Sequence, residues 1–282
     1  MIKVNDCEVK IEHYPDGTPR IKLDTLNYLL NGNHQTILMK WIYENDAELC
    51  YLMMIKKHFE NYRNSYKYIL QMDYVPNARM DRVKDNDEIF TLKYFCEFIN
   101  WLNFDTVYVL DVHSNVVPAL INRCCQSNVR KFVNYTIANI EKNNSELVLY
   151  FPDAGAAKRY ADLFPKYKYC YGEKKRDWKT GKIHGLEIKN NDIDLKDKTI
   201  LMIDDIISYG GSLYYSAKAL KECGVGDIYA YATHTENSVL DKDKGTLINL
   251  LEDGTVTRLY TTDSLFAGNH EKITVMEVDG LI

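Results

Sequence analysis

The sequence predicts an α/β protein with mostly parallel sheets flanked by helices. Three observations carry that expectation. Short apolar runs alternate with amphipathic stretches, polar motifs fall directly after the apolar runs, and a Ser/Gly-rich turn joins one such run to a helix. At 282 residues the chain suits two domains of ordinary size. The boundary is expected near Asn143 to Ser145, giving domains 1–144 and 145–282.

In the first half, strands are expected at Thr36 to Tyr43, Tyr68 to Met72 and Val107 to Asp111. A helix over Thr91 to Leu102 puts Leu92, Phe95, Cys96, Ile99 and Leu102 on one face. In the second half, Leu147 to Phe151, Thr199 to Ile203 and Ile228 to Ala232 predict short buried strands. Ala154 to Leu163 and Gly211 to Cys223 predict helices, with Gly224 where a helix C-cap falls. The charged stretch from Glu173 to Asp197 predicts a solvated surface loop. Asp111 and His113, Asp153, and the pair Asp204 and Asp205 are each expected just after a strand, where parallel sheets bind ligands.

Composition narrows the function classes. A net charge of −5 speaks against a bulk nucleic-acid binder, and a hydrophobic fraction of 46% against disorder. No apolar run reaches the length of a membrane span, and MIKVNDCEVK has no signal-peptide core. The seven cysteines show no CxxC or metal-finger spacing, which fits reduced thiols in a cytoplasmic protein. Most of the 22 tyrosines are expected to be packing residues with wet hydroxyls.

The richest segment follows Ile200-Leu201-Met202-Ile203. Two carboxylates, Asp204 and Asp205, precede Ser208-Tyr209-Gly210-Gly211-Ser212 and then a helix. Glycines let several backbone N–H groups converge, and the helix adds its positive end, so the segment predicts an anion cradle. The acids would repel a phosphate at the same point but suit ribose hydroxyls or a hydrated Mg²⁺ beside it. The plainer alternative is a tight strand–helix turn with a serine N-cap.

That segment resembles the ribose-phosphate motif of type I phosphoribosyltransferases and of ribose-phosphate pyrophosphokinases. Further matches, in family order, favour the second. Val75-Pro76-Asn77-Ala78-Arg79-Met80-Asp81-Arg82 is similar to the family's Tyr-Ala-Arg-Gln-Asp-Arg. Phe90-Thr91-Leu92-Lys93 and Val109-Leu110-Asp111-Val112-His113-Ser114 resemble the segments that follow it. Tyr14-Pro15-Asp16-Gly17 resembles Phe-x-Asp-Gly-Glu, and Phe151-Pro152-Asp153-Ala154-Gly155 resembles Ser-Pro-Asp-x-Gly.

The resemblance implies two tandem type I phosphoribosyltransferase-like domains, the first on the ATP side and the second on the ribose-phosphate side. It implies transfer of the β,γ-diphosphate of ATP to the C1 hydroxyl of ribose 5-phosphate, with release of AMP and Mg²⁺ as cofactor. Lys174 and Arg176 match the Lys-x-Arg of a catalytic loop. Lys175 leaves that register open by one residue. Arg79 and Asp81 fall in the ATP segment. Tyr14 and Asp16 match residues that reach adenine from a neighbouring subunit, which implies a homo-oligomer, a dimer at least and commonly a hexamer. His113 and Asp153 match Mg²⁺-associated positions. Asp204, Asp205, Ser208, Tyr209, Gly210, Gly211 and Ser212 match the ribose-phosphate motif.

The sequence departs from the family at Met80 (Gln in the family), Thr18 (Glu) and Asn31-Gly32 (Arg-Gly, the allosteric phosphate site). It departs again in the cradle, where the family has Asp-Thr-x-Gly-Thr. Ser208 removes a negative charge and Tyr209 adds a large ring, so an acceptor already esterified at its 5-phosphate, such as ADP-ribose in NAD metabolism, is the alternative. The short layout and the stretch Arg176 to Ile183 resemble phage-type members, and Trp178 there is placed to stack on a base or anchor the loop. A non-catalytic ligand-sensing or partner-binding relative is the alternative of another class. The retained His113, Asp153, Lys174, Arg176, Asp204 and Asp205 argue against it.

Overall fold

The structure, a computed structural model, describes residues 1–24, 35–62, 66–141, 146–176, 183–189 and 192–278, and not the side chains of 174–176 and 183–185. Asn31-Gly32 and Trp178 therefore lie outside the described residues. The chain divides into two compact units, Met1–Asn128 and Val129–Ile282. The helix Arg130–Ile140 thus falls in the second unit, whereas the sequence places the boundary after it.

Unit 1 contains, in chain order, β1 (Ile2–Val4), β2 (Cys7–Glu8), β3 (Lys10–His13), β4 (Pro19–Lys22), β5 (Thr36–Trp41), α1 (Glu48–Tyr62), β6 (Lys67–Met72), α2 (Thr91–Trp101), β7 (Thr106–Leu110), α3 (Val116–Leu120) and β8 (Cys124–Ser127). Six strands form one sheet in the order β2-β1-β5-β6-β7-β8, and β3 and β4 form a separate hairpin. Strands β5 to β8 run parallel, while β1 is antiparallel to both its neighbours. Helix α2 buries Leu92, Phe95, Cys96 and Ile99, with Leu102 buried at its C-cap. That is the apolar face the 3.6-residue period predicts. Strands β1 to β4 are too short for their alternation to stand out from sequence.

Unit 2 contains α4 (Arg130–Ile140), β9 (Leu147–Phe151), α5 (Ala154–Tyr160), β10 (Tyr169–Arg176), β11 (Ile183–Lys189), β12 (Thr199–Ile207), α6 (Gly211–Glu222), β13 (Ile228–Thr235), α7 (Thr246–Glu252), β14 (Arg258–Thr262) and β15 (Ile273–Met276). Its seven-stranded sheet has the order β11-β10-β9-β12-β13-β14-β15. Only the β10–β11 pair is antiparallel. Every residue of β9 is buried, as expected of a central strand covered on both faces. Gly224 adopts φ +77° just past α6, as a C-cap glycine does.

Two expectations are corrected. Strand β12 does not stop at Ile203. It runs to Ile207 because β13 continues to Thr235 and pairs with it, Ile206 opposite His234 and Ile207 opposite Thr235. The two acids therefore lie within the strand rather than after it. The charged stretch from Glu173 is not simply a loop. Its first and middle parts are β10 and β11, in register from Tyr171 opposite Lys189. The backbone ladder holds these largely charged strands together, and Lys189 bridges Glu173 across the pair at 3.3 Å and Glu187 on its own strand at 2.7 Å. Among the described residues no helix is long and apolar enough to cross a membrane.

Candidate functional site

The strand order of unit 2 reverses between β9 and β12. Strand β9 has β10 on its other side, whereas β12 has β13 and then β14. Chains that leave two such strands in opposite directions open a crevice at their carboxyl ends, the usual ligand position in an α/β sheet. Asp153 follows β9 there, and Ser208 to Ser212 follow β12.

The acid pair is asymmetric. Asp205 is only 4% exposed and faces the Arg159 guanidinium of α5, with Nη1 3.4 Å from its Oδ1. Asp204 accepts the Asp205 backbone N–H at 2.9 Å, and among the described residues no cation pairs with it. Burial, reinforced by the negative charges of Asp205 and Asp153, pushes the Asp204 carboxyl well above the usual carboxylate range. An acid paired with a cation beside one inclined to hold its proton offers both an acceptor and a donor to a vicinal diol. Arg159 is missed from sequence, because a cation on a short helix reads as a solvated charge.

The loop beyond the pair is braced from behind. The Tyr209 carbonyl accepts the Leu247 N–H and the Thr246 hydroxyl, both at 3.1 Å, from the start of α7. Gly210 sits at φ +87°, and a methyl there would lie 2.3 Å from Leu247 Cβ. Both conformation and space demand glycine. Gly210 is the N-cap of α6, and no side chain caps that helix, so the expected alternative of a serine cap is not what forms. The first N–H groups of α6, with its positive end, are thereby left for an anion. Ser208 Oγ lies 3.1 Å from Ser238 Oγ, and Ser238 donates to the Glu236 carboxylate. The Tyr209 side chain is 39% exposed, and Gly211 and Ser212 open the helix.

Asp153 is exposed and serves locally as the N-cap of α5, accepting the Ala156 N–H at 2.9 Å through Oδ1. Its second oxygen is not part of that cap, and its charge reaches Asp204. Lys174 and Arg176 lie on β10, opposite Leu186 and Ile183, and the register shifts between Lys175 and Arg176. The side chains of both residues lie outside the described residues.

Unit 1 carries its candidates on three separate turns. Tyr14, 52% exposed, and Asp16 occupy the β3–β4 turn, with Gly17 at φ +83°. The Asp16 carboxylate accepts the Thr18 hydroxyl at 2.7 Å and the Thr18 N–H at 3.0 Å, and the hydroxyl chiefly holds its pKa below the usual value. Arg79 is exposed in the segment after β6, near Asn77 at φ +63°. Asp81 is partly buried, 4.0 Å from Arg82 Nε. His113 is partly buried after β7, two residues beyond Asp111, itself 4% exposed at φ +43°.

Among the described residues no group of three or more His, Cys, Asp or Glu could hold a metal ion. The donors therefore fit no dedicated protein cage. They do fit hydrated Mg²⁺, which commonly takes one or two carboxylates, with waters and substrate phosphates completing its shell.

A parallel sheet with a ligand crevice at β9 and β12, and an acid pair leading into a glycine-bearing turn, defines a phosphoribosyltransferase-type α/β unit. Residues 137–256 match the phosphoribosyl transferase domain family. The chain is 28% identical to a ribose-phosphate pyrophosphokinase of Thermococcus kodakarensis over 80% of its own length and 77% of the relative's. It is 25% identical to one of Sulfurisphaera tokodaii over 97% of its length and 90% of the relative's. A crystal structure of phosphoribosylpyrophosphate synthetase from Mycobacterium smegmatis shares the fold, with a TM-score of 0.75 at 16% identity over 96% of this chain and 86% of that one. The chain is thus similar to ribose-phosphate pyrophosphokinases over most of its length.

Proposed function

We propose that this protein is a ribose-phosphate diphosphokinase that moves the β,γ-diphosphate of ATP to the C1 hydroxyl of ribose 5-phosphate. The hydroxyl oxygen attacks the β-phosphorus, the bond from the α,β-bridging oxygen to the β-phosphorus breaks, AMP leaves, and the hydroxyl proton passes to solvent. The observation that carries the reading is the braced turn after β12, where uncapped N–H groups of α6 lie beside the Asp204–Asp205 pair.

In this reading Asp205 and Asp204 hold the ribose hydroxyls, and the backbone from Ser208 to Ser212 holds the phosphate. Lys174 and Arg176 neutralise charge on the transferring diphosphate, since such displacements need positioning and electrostatics more than covalent help. Arg79 and Asp81 serve ATP, and Tyr14 and Asp16 serve the adenine of a neighbouring subunit in a homo-oligomer. Asp153 and His113 are the residues that would hold Mg²⁺, which supplies charge neutralisation on the polyphosphate.

A second acceptor is favoured by one feature. The Tyr209 ring is exposed in the phosphate turn, and Ser208 brings a hydroxyl paired with Ser238 rather than a charge. A sugar phosphate carrying a further substituent, such as ADP-ribose, would find there an aromatic face instead of a repelling carboxylate. Incubating the protein with ATP, Mg²⁺ and either ribose 5-phosphate or ADP-ribose, then measuring AMP by chromatography, tests both. AMP release that requires the sugar is expected, and the faster acceptor identifies the substrate. No AMP with either sugar rejects the catalytic reading in favour of a non-catalytic ligand-binding relative.

A further inference from the structure

We infer that Tyr150 is a positioning residue of the unit 2 site, whose buried hydroxyl sets the spacing between the root of strand β10 and the phosphate turn at the head of α6. The inference rests on the proposed role of Lys174 and adds a residue that no motif marks.

Tyr150 lies in the middle of the sheet and is 0% exposed. A phenol buried this deeply costs desolvation that a phenylalanine would not, unless its hydroxyl is used. Here it donates to Ser216 Oγ at 2.7 Å. Ser216, itself 2% exposed, donates to the Ser212 carbonyl at 2.9 Å, one turn back in α6. A directional pair of hydrogen bonds thus runs from the core of β9 to the first turn of the helix that forms the cradle. Asp204 and Asp153 lie close enough to act on the same phenol, which burial holds above its ordinary pKa.

The other side of the hydroxyl faces β10. A methyl added to Gly172 would sit 2.4 Å from Tyr150 Oη and 2.9 Å from the Pro152 carbonyl oxygen. Gly172 is not in the left-handed region, so space and not conformation requires the glycine there. The location matters. The parallel ladder of β10 on β9 ends at Tyr171 opposite Phe151, and from Gly172 onward the backbone ladder of β10 is to β11 alone. The Tyr150 hydroxyl touches β10 where that strand leaves the sheet, two residues before Lys174. A displacement of about 1 Å in a catalytic group is enough to cost about 10²-fold in rate, so a contact at this pivot acts on turnover without touching substrate.

The test uses the full chain with Tyr150→Phe, Gly172→Ala, Ser216→Ala and the Tyr150→Phe/Gly172→Ala double variant. Tyr150→Phe and Ser216→Ala are expected to lower kcat for AMP release by roughly tenfold while KM for the sugar phosphate stays within about twofold. Gly172→Ala alone is expected to lose more. The double variant should recover part of that loss, because the alanine methyl takes the place the hydroxyl leaves, and the two substitutions are then coupled rather than additive. Hydrogen exchange over 169–176 and 183–189 should quicken in Tyr150→Phe, with β12 and β13 unchanged. Unchanged kcat with unchanged exchange overturns the inference, as does strict additivity or a loss that follows the global melting temperature. If the unaltered protein releases no AMP, the proposed function fails. The exchange pattern and the coupling measured by it then still decide the role of Tyr150.

Discussion

The two units support their candidate residues in contrasting ways. In unit 2 the turn from Ser208 to Ser212 is fixed from behind: α7 bonds to the Tyr209 carbonyl and Leu247 closes on Gly210, while Arg159 pairs with Asp205 in the strand before it. In unit 1, Tyr14 and Asp16 stand at the tip of a two-stranded hairpin outside the main sheet, and Arg79 is exposed. The contrast separates two kinds of site. The turn proposed to bind phosphate is braced by residues of its own unit, and rigid donors strengthen such a site. An exposed aromatic and an exposed cation at turns gain further energy when a ligand or another surface covers them.

The largest effect expected from this contrast is at Gly210. Gly210→Ala should cost about 3 kcal/mol through left-handed strain and the clash with Leu247. Thermal unfolding and sugar-phosphate binding check this together, and a neutral substitution would remove the claim that the turn is rigid. Next come Lys174→Ala and Arg176→Ala, each expected to slow AMP release by about 10²-fold without moving the melting temperature. A drop in stability with unchanged turnover would make both residues parts of the hairpin and not of the chemistry.

Asp204→Asn sharpens the comparison through pH. The folded protein holds the Asp204 proton more tightly than the unfolded chain does. Its stability is therefore full at low pH and falls as pH rises through the folded-state pKa. The asparagine variant should melt higher than the unaltered protein at about pH 8, and the gap should close near pH 4, about the ordinary aspartate value. A gap independent of pH would show that Asp204 is not the strained acid. The smallest effect is at Tyr14. Tyr14→Ala should raise KM for ATP by about threefold, because one exposed stacking contact is worth roughly 0.5–1.5 kcal/mol, with the melting temperature unchanged. Steady-state kinetics at varied ATP tests this, and unchanged KM would leave the hairpin tip without a nucleotide role.

Much of the fold was legible because central parallel strands are buried on both faces. Leu147 to Phe151 form a strand with the limits their apolar run suggests, and the period of α2 shows its buried face. The junction from β12 to α6 was legible because glycines directly after a buried apolar run mark a strand-to-helix turn. Other features left no such mark. The extension of β12 to Ile207 depends on the length of β13, a partner distant in sequence. Strands β10 and β11 are charged, so their pairing is held by backbone bonds that composition does not reveal. The α4 helix buries Phe132, Val133 and Ile137 and falls in unit 2, and no linker signal in the sequence marks the boundary before it. Arg159 and Tyr150 matter through what they touch, and neither contact is local in sequence.

The seat of Leu247 on Gly210 also limits how the cradle can change. With a helix pressed against the back of the turn, additional volume cannot be opened in that direction without displacing α7 and the core beneath it, where Leu247, Ile248, Leu250 and Leu251 are all buried. Retuning the acceptor, in evolution or in the laboratory, therefore has one inexpensive direction: outward, through the residues at positions 208 and 209. Libraries confined to those two positions should change which sugar phosphate is accepted while leaving the fold intact.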